Sequence, residues 1–278
     1  MPKQLPKAAG QAVAFTGSMA EIYETYLVPL IFEPYAPIMA ERIATTAGVT
    51  RVLEIAAGTG ALTRALASRL PETVSIVATD LNQSMLDEAE ATGTSRAVTW
   101  RQADAMQLPF ADGEFDVVVC QFGVMFFPDK AKAFAEARRV LRHDGVFLFS
   151  VWDRIETNDF ADDVTRALAL MFPEDPPAFL RRTPHGYFDR QTIEQDLNQG
   201  GFENPKEIST VPERSRAESA MVPAIAYCQG TPLRNEIEAR APSGLNDATA
   251  FAADAVARRF GRSSVDGKIQ AHIVSVRR

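Results

Sequence analysis

Between Arg51 and Asp153 short β-rich apolar runs alternate with stretches of helical periodicity, the pattern of βαβ units joined into a parallel sheet. Arg51-Val52-Leu53-Glu54-Ile55 predicts a first strand, and Leu62, Leu66 and Leu70 then mark one face of a helix. Val74 to Ala78 predicts a second strand, followed by a helix that Asn82 or Ser84 can cap. Ala97 to Trp100 predicts a short third strand. Phe115 to Cys120 predicts a fourth, whose unbroken apolar run suits burial on both faces. A helix is expected over Lys130 to Arg142, a turn at His143-Asp144-Gly145, and a fifth strand over Val146 to Trp152.

The flanks are less regular. Residues 12–47 carry helical pattern interrupted by Pro29, Pro34 and Pro37, which predicts two short helices meeting at an angle. Residues 154–262 read as mostly helical, with a break at the run Pro173 to Pro177. Gln191 to Gly200 reads as a helix leading to a strand near 203–210, and Ile269 to Val276 as a closing strand. The expected division is a helical lid over 1–47, a core over 48–153, a helical cap over 154–188, more core over 189–212, a helical insertion over 213–262 and a last core strand over 263–278.

Composition narrows the class. The 278 residues are 46% hydrophobic and 23% charged, enough apolar surface to offset chain entropy. A net charge of −7, with arginines only in short clusters, gives no basic stripe for nucleic acid. Cys120 and Cys228 supply neither a disulfide framework nor metal-ligand spacing, so no metal site is expected. The start, Met1 to Lys7, lacks the apolar core of a signal peptide, and no apolar run approaches the roughly 20 residues of a membrane span. The expectation is a cytoplasmic, reduced protein, with oligomeric state open and a homodimer compatible.

The sharpest chemical feature is Glu54-Ile55-Ala56-Ala57-Gly58-Thr59-Gly60, leaving a strand and entering a helix. Glycine there lets the backbone approach a ligand and accept a positive φ, and the N–H groups of the new helix end face that ligand. Asp80 follows Gly60 by 20 residues, at the end of the second strand, where a carboxylate can accept both hydroxyls of a ribose. A dinucleotide fingerprint would place glycine where Thr63 stands. Glu54 moreover would repel a pyrophosphate but suit an ammonium or sulfonium. S-adenosylmethionine carries both.

These residues resemble a known family. Val52 to Gly60 looks like motif I of the class I S-adenosylmethionine-dependent methyltransferases, and Ala78 to Leu86 is similar to motif II. Gln102 to Phe110, with Phe115-Asp116-Val117-Val118, resembles motif III and strand four. Arg139 to Gly145 resembles the helix-turn before strand five. The match covers about residues 50–152, and the subgroup it is nearest includes the ubiquinone/menaquinone-biosynthesis and many small-molecule methyltransferases. It implies an α/β, Rossmann-like, seven-stranded, mostly parallel sheet with helices on both faces and helical cap insertions. Two departures stand out. Ala56 replaces the first glycine, tolerable with a negative φ, and His143-Asp144-Gly145 replaces Pro-Gly-Gly, leaving one glycine to make the turn.

By this resemblance Ala56, Gly58 and Gly60 present backbone to the methionine part of S-adenosylmethionine, and Glu54 assists near its amino group. Asp80 holds the ribose hydroxyls, with Leu81 and Met85 on adenine or simply in the core. Asp104 accepts from the adenine amino group and Ala105 offers its N–H. Gln121 and Phe122 lie beside the sulfonium, while Tyr23 and Tyr26 form a lid over the methionine carboxylate.

Methyl transfer from a sulfonium is an in-line displacement for which alignment supplies much of the acceleration, so an absent catalytic constellation is no evidence against it. Of three histidines, His143 and His272 are read as structural, and His185 as either a base or substrate contact or a loop residue bonded to backbone. Asp175-Pro176-Pro177-Ala178 resembles the Asp/Asn-Pro-Pro-aromatic motif but lacks the aromatic and follows the wrong strand, which argues against DNA-amine or glutamine-amide acceptors. Large apolar residues around Phe126-Phe127, Phe160, Met171-Phe172, Phe179, Tyr187-Phe188, Met221 and Tyr227 are expected in the cap core, with a remainder lining a pocket for a small apolar or aromatic acceptor. The rival readings are a catalytically silent S-adenosylmethionine-binding sensor or scaffold and, disfavoured by Thr63 and Glu54, a nicotinamide oxidoreductase.

Overall fold

The computed structural model describes residues 17–278; the polar start and the first part of the helical segment expected from residue 12 lie outside them. Seven strands form one sheet in the order β3-β2-β1-β4-β5-β7-β6. They are β1 (Arg51–Ile55), β2 (Ser75–Asp80), β3 (Thr99–Gln102), β4 (Phe115–Gln121), β5 (Leu141–Trp152), β6 (Lys206–Ala217) and β7 (Val265–Arg277). The first five are parallel, and β7 runs antiparallel to both β5 and β6. The order reverses between β1 and β4, so the crevice at the carboxyl ends of these strands is where an open α/β sheet takes a ligand.

Alternation along the central strands sends side chains into two apolar layers. Val117 and Val119 join Leu62, Leu66, Met39 and Ile43 on one face. Val118 and Cys120 join Phe134, Phe147 and Phe149 on the other. Helices α2 (Ala36–Ala44), α3 (Ala61–Arg69) and α5 (Lys130–Val140) supply these partners, while α4 (Gln83–Thr92) lies beyond β2. Asp129 caps α5 by accepting from the Lys132 N–H at 2.9 Å. Among the described residues no helix is long and apolar enough to cross a membrane.

Beyond β5 come α6 (Asp159–Met171), the short α7 (Phe179–Arg182) and α8 (Arg190–Gln199), followed by β6. Helices α9 (Met221–Gln229), α10 (Leu233–Arg240) and α11 (Leu245–Phe260) intervene before β7. The sheet therefore carries its helical additions at one end, over the crevice.

Four expectations need correction. Pro29 does not break the N-terminal helix. After α1 (Gly17–Ile22) the chain continues through a π-helical stretch, Tyr23–Phe32, whose wider winding accommodates the lost N–H. Pro37 instead sits in the first turn of α2, where its missing donor costs nothing. Strands β6 and β7 extend well past the expected ends, pairing from Lys206↔Val276 to Ala217↔Val265, because Thr, Ser and Arg positions that look loop-like alone are satisfied by a long antiparallel partner. At the turn within β5, Asp144 takes the left-handed conformation (φ +63). Gly145 is needed for proximity, since a Cβ there would sit 2.9 Å from the Arg142 carbonyl oxygen.

Candidate functional site

At the carboxyl ends of β1, β2, β4 and β5 the chain encloses a cavity of about 360 Å³. Its nucleoside-type end is built by Gly58, Asp80, Leu81, Met85, Asp104 and Ala105; Gln121 and Phe122 stand at the end of β4; aromatic residues close the far end. Asp80 and Asp104, brought from β2 and from the turn after β3, thus share one wall.

The Asp80 carboxylate is the best-anchored group. Its Oδ2 accepts from the Gly58 N–H at 2.9 Å and its Oδ1 from the Asn82 N–H at 2.8 Å. Burial pushes its pKa up, against the pull of these bonds. The Asp104 Oδ1 accepts from the Met106 N–H at 2.8 Å, which fixes the carboxylate on its turn. Met85 is buried, whereas Leu81 is 44% exposed on the rim and so is not core. Phe122 holds a left-handed backbone (φ +54) and stacks on Trp152 with centroids 3.7 Å apart. A bulky residue with positive φ is strained, and such strain clusters at ligand sites.

A second, much smaller cavity of about 20 Å³ adjoins the first through Tyr23, Phe32, Ala56 and Gln121. Glu54 lines this one, not the main cavity. Its side chain is 1% exposed and accepts from the Thr63 hydroxyl at 2.6 Å; burial raises its pKa to about 8. Thr59 Oγ1 and Gln121 Oε1 lie at the same place with no hydrogen-bond partner among the described residues. Buried acceptors seldom go unpaired, and each loss costs about 1–3 kcal/mol. A carboxyl group and two orphaned oxygens around a small void fit a donor-only cation, as the ammonium of S-adenosylmethionine is.

Several expected positions fall elsewhere. Ala56 takes φ +53, not a negative value. Its Cβ finds room because residue 123 is glycine: a Cβ on Gly123 would come within 2.5 Å of it. Gly60 lines neither cavity; it serves packing, for a Cβ there would meet the Trp100 ring at 3.1 Å. Tyr23 reaches the cavity wall and stacks on Phe32, its centroid 5.2 Å away, but Tyr26 lies against the core and off both walls. The π-helical winding explains the split, because a tyrosine pair three apart no longer shares one face. Of the aromatics, Phe126, Phe127, Phe179 and Tyr227 line the cavity, Phe160 is core, and Met221 is exposed. His185 lines the cavity and is buried, whereas His143 is solvent-exposed beside Asp144.

Phe32, Trp152, Leu180 and Pro232 also form the wall and were not anticipated. Trp152 alone carried a usable signal, being a large side chain at the carboxyl end of a central strand.

Together the reversal of strand order, the glycine turn and the paired carboxylates define the class: an α/β protein with an adenosine-type crevice. The chain belongs to the class I S-adenosylmethionine-dependent methyltransferases. Residues 53–149 match the methyltransferase domain family. It is 34% identical over 166 residues to a ubiquinone/menaquinone biosynthesis C-methyltransferase of Paraburkholderia phymatum, covering 56% of this chain and 68% of that protein. It is also 34% identical over 156 residues to a malonyl-[acyl-carrier protein] O-methyltransferase of Geobacter sulfurreducens, covering 55% of each. The chain spans about half the length of that relative. Among solved structures, a Haemonchus contortus phosphoethanolamine N-methyltransferase 2 aligns with TM-score 0.59 at 17% identity, covering 95% of this chain and 58% of that one. The [4+2]-cyclase SpnF aligns with TM-score 0.51 at 20% identity, covering 88% of this chain and 80% of that one. Both show the fold alone, and the second shows that this fold also carries other chemistry.

Proposed function

We propose that the protein transfers the methyl group of S-adenosylmethionine to a small, apolar or aromatic organic acceptor. The observation that carries this reading is the pairing of two carboxylates, Asp80 and Asp104, with a separate acceptor-rich void at Glu54, on opposite sides of the glycine turn. Asp80 holds the ribose hydroxyls and Asp104 the adenine amino group. Ala105 offers its N–H, Met85 and Leu81 flank the ring, and Gly58 gives backbone access. Glu54, Thr59 and Gln121 take the ammonium, with Tyr23 over it.

When bound, the cofactor supplies an electrophilic methyl on a charged sulfur. The chain's own part is to align and to exclude water. Phe122 and Trp152 make a flat apolar floor at the end of β4 and β5, and Phe126, Phe179 and Tyr227 cover the far end. Such alignment can supply roughly 7–11 kcal/mol of a barrier. The relatives act on different acceptors, a quinone precursor's carbon in one case and a carboxyl oxygen in another by their names, so the acceptor is argued from this cavity alone.

Incubation with methyl-labelled S-adenosylmethionine and a fractionated extract of small molecules tests the reading. Label is expected in an organic-soluble product together with S-adenosylhomocysteine. Cofactor binding with no labelled product from any fraction would favour the sensor instead.

A further inference from the structure

His185 stands at the far end of the cavity, on the loop after α7. Its backbone N–H donates to the Leu180 carbonyl at 3.0 Å, which fixes the loop. Its Nδ1 lies 2.9 Å from the Asp153 carbonyl oxygen. A carbonyl can only accept, so Nδ1 carries the ring proton and Nε2 presents a lone pair. Nε2 has no partner among the described residues. The carbonyl that sets this tautomer is itself held. Asp153 N–H donates to the Gln270 carbonyl at 3.0 Å, and the Asp153 carboxylate accepts from Gln270 Nε2 at 2.6 Å and from the Arg154 N–H at 2.7 Å. His272 Nε2 completes the anchor, 3.4 Å from Asp153 Oδ1.

Location and charge give this lone pair a task. The His185 ring is 6.0 Å from Trp152, which stacks on Phe122 beside the end of β4. Among the described residues on the cavity wall there is no lysine or arginine, and the two wall carboxylates sit at the β2–β3 end. The Thr231 hydroxyl is already committed to the Tyr227 carbonyl at 2.7 Å. An anionic acceptor would find no counter-charge, whereas a neutral ring with one hydroxyl would find an aromatic slot and a proton acceptor.

We propose that His185 is a catalytic residue that takes the hydroxyl proton of a neutral hydroxyaromatic acceptor through Nε2, directing methylation to that oxygen. This rests on the methyltransferase reading above. The O–H and S–CH3 bonds break and an O–CH3 bond forms; the proton passes to Nε2 and then to solvent, and the thioether leaves uncharged. Burial keeps His185 neutral, its pKa lowered to about 4. The charged groups facing it are Asp153, Glu156 and Arg181, with Arg181 and Glu156 paired at 2.6 Å, so no nearby group titrating near neutrality reverses this state. Tyr227, facing from α9, stays protonated because burial raises its pKa.

The test uses calorimetry on protein saturated with S-adenosylhomocysteine, titrated with 2-naphthol, 2-methoxynaphthalene and 2-naphthyl phosphate. Wild type is expected to bind naphthol about tenfold more tightly than its capped analogue, the worth of one neutral hydrogen bond, and not to bind the phosphate. His185→Phe should erase the preference, and His185→Gln, which keeps an acceptor near Nε2, should restore part of it. Turnover of naphthol should fall about 10²–10⁴-fold in His185→Phe while S-adenosylhomocysteine binding stays unchanged. Equal binding of naphthol and its capped analogue, binding of neither, a preference that survives His185→Phe, or a ring-C-methylated product would overturn the proposal. Failure of wild type to bind S-adenosylhomocysteine would overturn the underlying reading first, and is read separately.

Discussion

Cofactor binding should be coupled to a proton on Glu54, and the structure sets the size of the effect. In the free protein burial holds the Glu54 pKa at about 8, against an ordinary 4.5. At pH 7 the group is then about 90% protonated. An ammonium placed in the adjoining void returns it to the ionised form, since an opposite charge at contact distance favours ionisation. Binding should thus release about 0.9 proton at pH 7 and nearly one at pH 6, and affinity should rise close to tenfold between pH 6 and pH 7. Calorimetric titration with S-adenosylhomocysteine in two buffers of different ionisation enthalpy measures both quantities. Glu54→Gln should bind with no proton release in this range and a flat pH profile. A wild-type affinity independent of pH, or the same slope in Glu54→Gln, would refute the placement of the ammonium at Glu54.

Other outcomes follow from the same geometry. Stability should carry two opposite pH trends. Glu54, with its folded pKa raised, contributes stability below about pH 4.5 that is lost as pH climbs toward 8. His185, with its folded pKa lowered to about 4, destabilises the fold as pH falls from 6.5. Urea titrations of Glu54→Gln and His185→Phe should each flatten one limb. Gly123→Ala should cost about 1–3 kcal/mol, because its Cβ would meet Ala56 at 2.5 Å and Cys120 Sγ at 2.8 Å. Ala56→Gly relieves a left-handed alanine and should recover at least 0.5 kcal/mol of that cost in the double variant, a coupling readable by denaturant unfolding; additivity would contradict it. Asp104→Ala should weaken binding of adenosine-containing ligands roughly tenfold, seen in a displacement titration.

The parallel half of the sheet was legible because its signals are local. Val117 to Cys120 is apolar on both faces, and Asp80 and Asp104 each end a strand or open a turn at fixed spacing from the glycine bend. Elsewhere the deciding interactions were long-range. The π-helical passage through Pro29 and the full length of β6 depend on partners far along the chain. The same holds for backbone sign: Ala56 could adopt φ +53 only because a glycine 67 residues later leaves its Cβ space. Gly60 matched a binding motif yet serves packing against Trp100, which no spacing rule distinguishes. The far wall gathers Phe32, Trp152, Leu180 and Pro232 from four separate segments, and only the folded sheet brings them together.

Titration of S-adenosylhomocysteine into wild type and Asp80→Ala bears most directly on the whole account. Wild type should bind one equivalent saturably, and loss of the carboxylate that bridges Gly58 and the ribose should weaken this about 10- to 150-fold with the fold intact by circular dichroism. No binding to wild type, or equal affinity in both proteins, would contradict it.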